Sequence, residues 1–162
     1  MQSLLFKQLL FLFLFVSMGL ISVAQSWELH QADMFNYFQA GDYENAKLSG
    51  EKALEILKDD QSKVADYLAI LNNLAYIYLE LRMYDQAESA YLEVMEVVEP
   101  ILTKEHEIYA RVANNLGEVY LATGQLEKAK QYLEEAEKIR FRVIGFEDPN
   151  YTHTLRNLSK LY

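Results

Sequence analysis

The chain repeats itself with a period of 42 residues, and this periodicity restricts its possible folds more than any other feature of the sequence. Three segments of eight residues align without a gap: LNNLAYIY (71–78), ANNLGEVY (113–120) and LRNLSKLY (155–162). Asparagine, leucine and tyrosine recur at fixed positions in all three. A period of this length indicates stacked copies of one supersecondary unit rather than a single globular core.

Each copy has the pattern of two amphipathic helices. Apolar residues in the segment 71–78 follow the i, i+3, i+4, i+7 spacing that places them on one helical face. Glycine interrupts the pattern at Gly41 and Gly124, where a left-handed residue can end a helix. A second apolar series then follows, and it carries a small residue that allows two helices to approach closely. The small residues are Ala46, Ala87 and Ala129.

The motif Leu116-Gly117-x-x-Tyr120, followed by Ala129, resembles the tetratricopeptide repeat. The 42-residue period exceeds the usual length of about 34 residues. Together with the segment 138–162, it is similar to the longer repeats of kinesin light chains and their bacterial relatives. The resemblance implies an all-α, right-handed α-α superhelix of about three and a half helix-turn-helix repeats. The expected repeats span residues 27–60, 67–100, 109–142 and, as a partial copy, 151–162.

The first 24 residues have the layout of a secretory signal peptide. Lys7, the single charged residue of this segment, precedes an apolar run of 16 residues that ends in Ser22-Val23-Ala24. This run is at or below the roughly 17 to 25 residues needed to span a bilayer. We therefore expect residues 1–24 to be cleaved, leaving residues 25–162 as a secreted or periplasmic repeat domain. The alternative is an uncleaved signal sequence that attaches the chain to a membrane.

The composition argues against several classes of function. The formal charge of −9, from 15 basic and 24 acidic residues, offers no basic excess for a nucleic acid. The absence of cysteine excludes thiolate metal sites and cysteine nucleophiles. The three histidines lie far apart, without the spacing of a metal site, and glycine is too sparse for a phosphate loop. The sequence therefore predicts a protein with no enzymatic activity, no metal and no cofactor.

The resemblance places the first helix of each repeat along a concave groove, and with it the recurring asparagines. An asparagine amide both donates and accepts hydrogen bonds, so a row of them can pair with the backbone of an extended peptide. The alternative is that each amide ties neighbouring helices together. The candidate partner-binding residues are Asn72, Asn73, Tyr76, Arg111, Asn114, Asn115, Glu118, His153, Arg156 and Asn157.

Most tyrosines recur with the period of the repeat, which predicts packing rather than a binding surface. One column contains Tyr37, Tyr78, Tyr120 and Tyr162, and another contains Tyr67, Tyr109 and Tyr151. Tyr76 is the exception, because Glu118 and Lys160 occupy its equivalent positions. We therefore expect Tyr76 to face a ligand.

Together these patterns predict a protein-interaction scaffold that binds a peptide or protein in the groove. One alternative is the recognition arm of a larger bacterial protein that carries a CHAT protease domain or a histidine kinase, as similar arrays do. Another is a structural module that self-associates through the partial repeat, whose Leu155, Leu158 and Tyr162 would offer an apolar face to a second helix.

Overall fold

A computed structural model describes residues 27–102 and 105–162 of the chain. The predicted signal peptide, residues 1–24, lies outside the described residues. Within the described ranges every regular element is helical and no strand occurs, which confirms the predicted all-α fold. The described helices include none with both the length and the apolar character required for a membrane span.

The described chain contains seven α-helices and one short 3₁₀ helix, Gln61–Lys63. The chain divides into two compact units, one ending at Ile70 and the other covering Leu71–Tyr162, so that α3 crosses the boundary. The α-helices are α1 (27–39), α2 (Tyr43–Leu57), α3 (Val64–Glu80), α4 (Tyr84–Leu102), α5 (Glu107–Ala122), α6 (Leu126–Val143) and α7 (Pro149–Ser159).

In the first unit, α1 and α2 are joined by a tight turn. Gly41 adopts a φ of +74°, a conformation that side chains other than glycine rarely tolerate. Asp42 then caps α2 by accepting a hydrogen bond from the backbone N–H of Asn45 at 3.2 Å. Trp27 and Met34 fill the buried stripe of α1. Tyr37 lies at the margin of that stripe and is 40% exposed, so it is not part of the core.

In the second unit, α5 packs against α4, α6 and α7. The approach of α6 to α5 depends on Gly117, because a Cβ atom there would lie only 2.5 Å from Cγ of the buried Leu133. Ala129 is fully buried as well. The predicted small residues Ala46, Ala87 and Ala129 are thus all buried, and Gly117 limits how closely α5 and α6 can pack.

The helix α7 is held against α6 by a buried arginine, Arg140. Its Nη1 donates to the backbone oxygen of Asn150 at 2.8 Å and to Oγ1 of Thr154 at 2.7 Å, both on α7. Its Nε lies 3.3 Å from Oε1 of Glu107, on α5. Burial lowers the pKa of Arg140, although Glu107 counteracts the shift. One guanidinium thus joins three helices.

The recurring tyrosine column does not behave uniformly in the second unit. Tyr120 is 2% exposed, whereas Tyr162 is 92% exposed. Tyr162 lies beyond the last residue of α7, so no helical turn holds its ring against α6. Tyr162 is therefore an exception to the packing predicted for most tyrosines, and its exposure agrees with the predicted open apolar face. Leu155, predicted to offer an open apolar surface, is exposed.

Candidate functional site

The predicted site residues of the second unit differ widely in accessibility. Four of them are exposed, three are partly buried and three are buried. The exposed residues are Asn73, Arg111, His153 and Arg156; the partly buried residues are Tyr76, Asn115 and Glu118; the buried residues are Asn72, Asn114 and Asn157. These ten residues therefore cannot form one uniform binding row.

Six polar side chains of α5 and α7 form a connected network, which we call the α5–α7 cluster. Its centre is Oε1 of Glu118, which accepts from Nδ2 of Asn157 at 2.6 Å and from Nδ2 of Asn114 at 3.0 Å. Nε2 of His153 lies 3.5 Å from the same oxygen. The cluster consists of Asn114, Asn115, Glu118, His153, Asn157 and Lys160.

The two buried asparagines of the cluster join α5 to α7. Nδ2 of Asn157 also donates to Oδ1 of Asn114 at 3.2 Å, and Oδ1 of Asn157 accepts from Nζ of Lys160 at 2.8 Å. Asn157 is 0% exposed and Asn114 is 1% exposed. The expectation that they face a ligand is therefore wrong, because their amides are used between neighbouring helices and are covered by them.

Buried polar groups also lie on α3 and α4, before the α5–α7 cluster. Oδ1 of Asn72 is buried without a hydrogen-bond partner in the described part of the chain, and the hydroxyl of Tyr91 is buried as well. Burial raises the pKa of Tyr91. A side-chain hydrogen bond with Asn115 opposes this shift, and Arg111 opposes it too, whereas Glu118 and Tyr76 add to it. Tyr91 of α4 therefore lies near polar side chains of both α3 and α5.

Tyr91 was not among the site residues predicted from the sequence. The signal was present, because the position 42 residues later is the apolar Leu133. A hydroxyl at a position that is otherwise fully buried and apolar indicates a local polar environment. Comparison of the second helices, rather than of the first helices alone, identifies this residue.

The exposed cations of the first helices are Arg111 and Arg156. Neither forms a salt bridge with a carboxylate of the described residues. Lys160 borders an open depression of about 410 Å³ that Glu80 and Glu118 also line. Among residues 27–102 and 105–162, no group of three or more histidine or acidic side chains could hold a metal ion.

The central part of the chain is similar to a known repeat family. Residues 66–140 match the sequence profile described as "Tetratricopeptide repeat". The matched segment includes α4 and α5 in full, most of α3, and α6 as far as Arg140. It therefore contains both helices of each of the two central repeats.

Similarity to known proteins supports the predicted resemblance to kinesin light chains. The chain is 29% identical over 104 residues to Protein KINESIN LIGHT CHAIN-RELATED 1 of Arabidopsis thaliana, which covers 64% of this chain and 17% of that protein. The crystal structure of BtubC (BKLC) from P. vanneervenii superposes with a TM-score of 0.76 at 29% identity, covering 84% of this chain and 55% of that one. The chain thus spans only part of either relative.

A third match is the first TPR of Spaghetti (RPAP3), solved bound to the HSP90 peptide SRMEEVD. Its TM-score is 0.56 at 20% identity, and the match covers 84% of this chain and 94% of that one. At this identity the likeness shows the fold alone. All three matches agree with the helical hairpins of the second unit.

Proposed function

We propose that this chain is a tetratricopeptide-repeat protein that acts as a non-catalytic scaffold and binds a peptide or protein partner along the first helices of its repeats. The supporting observation is that α3 and α5 each leave an amide accessible at the same repeat position. Asn73 is exposed and Asn115 is half-buried. A similar fold binds a peptide in the Spaghetti structure, which is consistent with this proposal.

The contact is non-covalent. Each backbone unit of an extended peptide has one N–H donor and one carbonyl acceptor, and one asparagine amide can satisfy both. Such pairing does not depend on the peptide's side chains. Each net hydrogen bond contributes about 0.5 to 1.5 kcal/mol. Affinity would therefore come from several weak contacts, with selectivity supplied by neighbouring residues such as Tyr76 and Arg111.

Replacing both Asn73 and Asn115 with alanine is expected to weaken partner binding by about 1 to 3 kcal/mol and to leave the melting temperature nearly unchanged. The partner would be recovered from envelope proteins with the mature chain, identified, and titrated by calorimetry. Asn157→Ala is the matched control and should instead lower the melting temperature, because it removes a tie between α5 and α7. A double variant that melts far lower but binds with unaltered affinity would refute the proposed role.

We also propose that the protein is secreted or periplasmic and that its mature chain begins at Gln25. The support is the short apolar run before Ser22-Val23-Ala24. Intact-mass measurement of protein recovered from its native envelope should give the mass of residues 25–162. Recovery of the chain with Met1 retained, in the membrane fraction, would show an anchored protein instead.

A further inference from the structure

The C-terminal ends of α3 and α5 border an open depression of about 410 Å³ within the second unit. Three leucines line it, namely Leu79, Leu121 and Leu126. Glu80 and Glu118 lie beside these leucines in the same lining. The depression therefore offers both apolar contacts and acidic groups.

The depression continues the side of α3 and α5 that carries the accessible asparagines. Glu80 follows Asn73 by seven residues, and Ala122, which also lines the depression, follows Asn115 by seven. Residues seven apart lie on the same side of a helix, about 10 Å from each other along its axis. An extended peptide covers that distance in about three residues. One peptide can therefore contact the asparagines and also reach the depression.

The polarity of the two helix ends favours a cation in the depression. The C-terminal end of an α-helix has a partial negative charge, which a basic residue in the last turn stabilises. The last turns of α3 and α5 contain no basic residue, and α3 ends in the acidic Glu80. The last turn of α6, by contrast, contains Arg140 and Arg142. The ends of α3 and α5 therefore lack a cation of their own.

The charged groups of the lining are not neutralised by one another. Glu80 is exposed and forms no salt bridge with any residue that the structure describes. Oε1 of Glu118 accepts from two neutral amides and lies 3.5 Å from Nε2 of His153. Nζ of Lys160, the cation of the lining, donates to the amide oxygen of Asn157 at 2.8 Å. Two carboxylates and one ammonium thus give the lining a formal charge of −1.

We propose that this depression binds a long basic side chain of the peptide partner, with its aliphatic stem against the leucines and its charged end beside Glu80 and the ends of α3 and α5. This inference rests on the proposed peptide-binding function and specifies which side chain the peptide contributes. Long basic side chains combine an apolar stem with a charged end, as this lining requires. The formal charge of −9 on the whole chain also favours association with a basic partner.

The test compares three peptides that differ in one side chain. Acetyl-Gly-Gly-Arg-Gly-Gly-amide is titrated into the protein, as are two counterparts in which citrulline or 2-amino-3-guanidinopropionate replaces arginine. Citrulline keeps the shape of arginine without its charge, and the other residue keeps the guanidinium on a shorter stem. The ¹³C-labelled methyl groups of Leu79, Leu121 and Leu126 are followed by NMR at constant ionic strength. We expect the arginine peptide to bind at least about fivefold more tightly than either counterpart.

Matched charge variants separate the depression from general electrostatic attraction. Glu80→Gln and Glu147→Gln each remove one exposed carboxylate, but Glu147 lies in the turn between α6 and α7. Glu80→Gln should reduce the preference for arginine over citrulline to about twofold or less, whereas Glu147→Gln should retain it. Lys160→Gln should increase the preference, because it removes the cation of the lining. Lys138→Gln, which removes an exposed charge from α6, should leave the preference unchanged.

Equal binding of the arginine and citrulline peptides, or equal effects of Glu80→Gln and Glu147→Gln, would overturn the site for a basic side chain. Equal binding of the two guanidinium peptides would overturn the role of the leucines.

The double variant of Asn73 and Asn115 tests the proposed function separately. All three peptides should bind it more weakly, while the preference for arginine over citrulline persists, because the asparagines contact the peptide backbone. If the double variant binds the peptides as tightly as the unchanged protein, the peptide-binding role of the asparagines is wrong. The ratio of arginine to citrulline binding then still decides whether the depression selects a basic side chain.

Discussion

Replacing Tyr120 with alanine is expected to lower the free energy of unfolding by about 3 to 5 kcal/mol. The ring is almost fully buried and stacks on Tyr132 with 5.5 Å between ring centroids. Its hydroxyl donates to Oε1 of Glu88 at 2.7 Å, which connects α5 to α4, and Nζ of Lys128 lies 4.8 Å from the ring centroid. Truncation therefore removes packing and a link between consecutive repeats.

The chain contains its own control for this substitution. Tyr162 occupies the same repeat position as Tyr120 but is exposed, so Tyr162→Ala should change stability by no more than about 0.5 kcal/mol. Urea unfolding followed by circular dichroism measures both variants. Equal losses would mean that the repeat position, rather than burial, determines the contribution. A negligible loss for Tyr120→Ala would contradict the packing described for α4, α5 and α6.

The second large loss of stability is expected when Arg140 is replaced. Arg140→Met keeps an apolar stem but removes the guanidinium that joins α6 to Thr154 and the backbone of Asn150. We expect a loss of about 2 to 4 kcal/mol, below the usual value for a broken buried pair because Glu107 remains partly hydrated. The loss should be concentrated in α7, whose backbone amides should exchange with deuterium much faster.

Arg142→Met provides the comparison for Arg140→Met. Arg142 also forms an ion pair, at 3.0 Å from Oε2 of Glu105, but both side chains are more than half exposed. Solvent screening limits such a pair to about 0 to 1 kcal/mol. Hydrogen exchange measured by mass spectrometry should therefore separate the two variants. If α7 exchanges equally fast in both, the buried guanidinium is not what holds that helix.

The sequence predicted the helical repeat well because its signals are local and recurrent. The spacing of apolar residues fixes which face of α3 or α5 is buried, and the glycines at 41 and 124 mark turns with a positive φ. Accessibility of the polar residues was not predictable in the same way. Asn73, Asn115 and Asn157 occupy one repeat position yet are exposed, half-buried and buried. This difference in exposure arises from the neighbouring helix. Asn157 forms hydrogen bonds with Asn114 and Glu118, which lie 43 and 39 residues earlier in the sequence.

The close contact of Gly117 with Leu133 limits how copies of this repeat can be exchanged during evolution. The equivalent pair 42 residues earlier is Ala75 and Tyr91, both buried. A recombination event between α5 and α6 would combine members of different pairs, and an alanine at position 117 would bring its Cβ within 2.5 Å of Cγ of Leu133. A crossover in the loop between complete helical hairpins would keep each pair together. The segment that can be exchanged without disrupting this packing is therefore the whole hairpin, in which the first and second helices are replaced together.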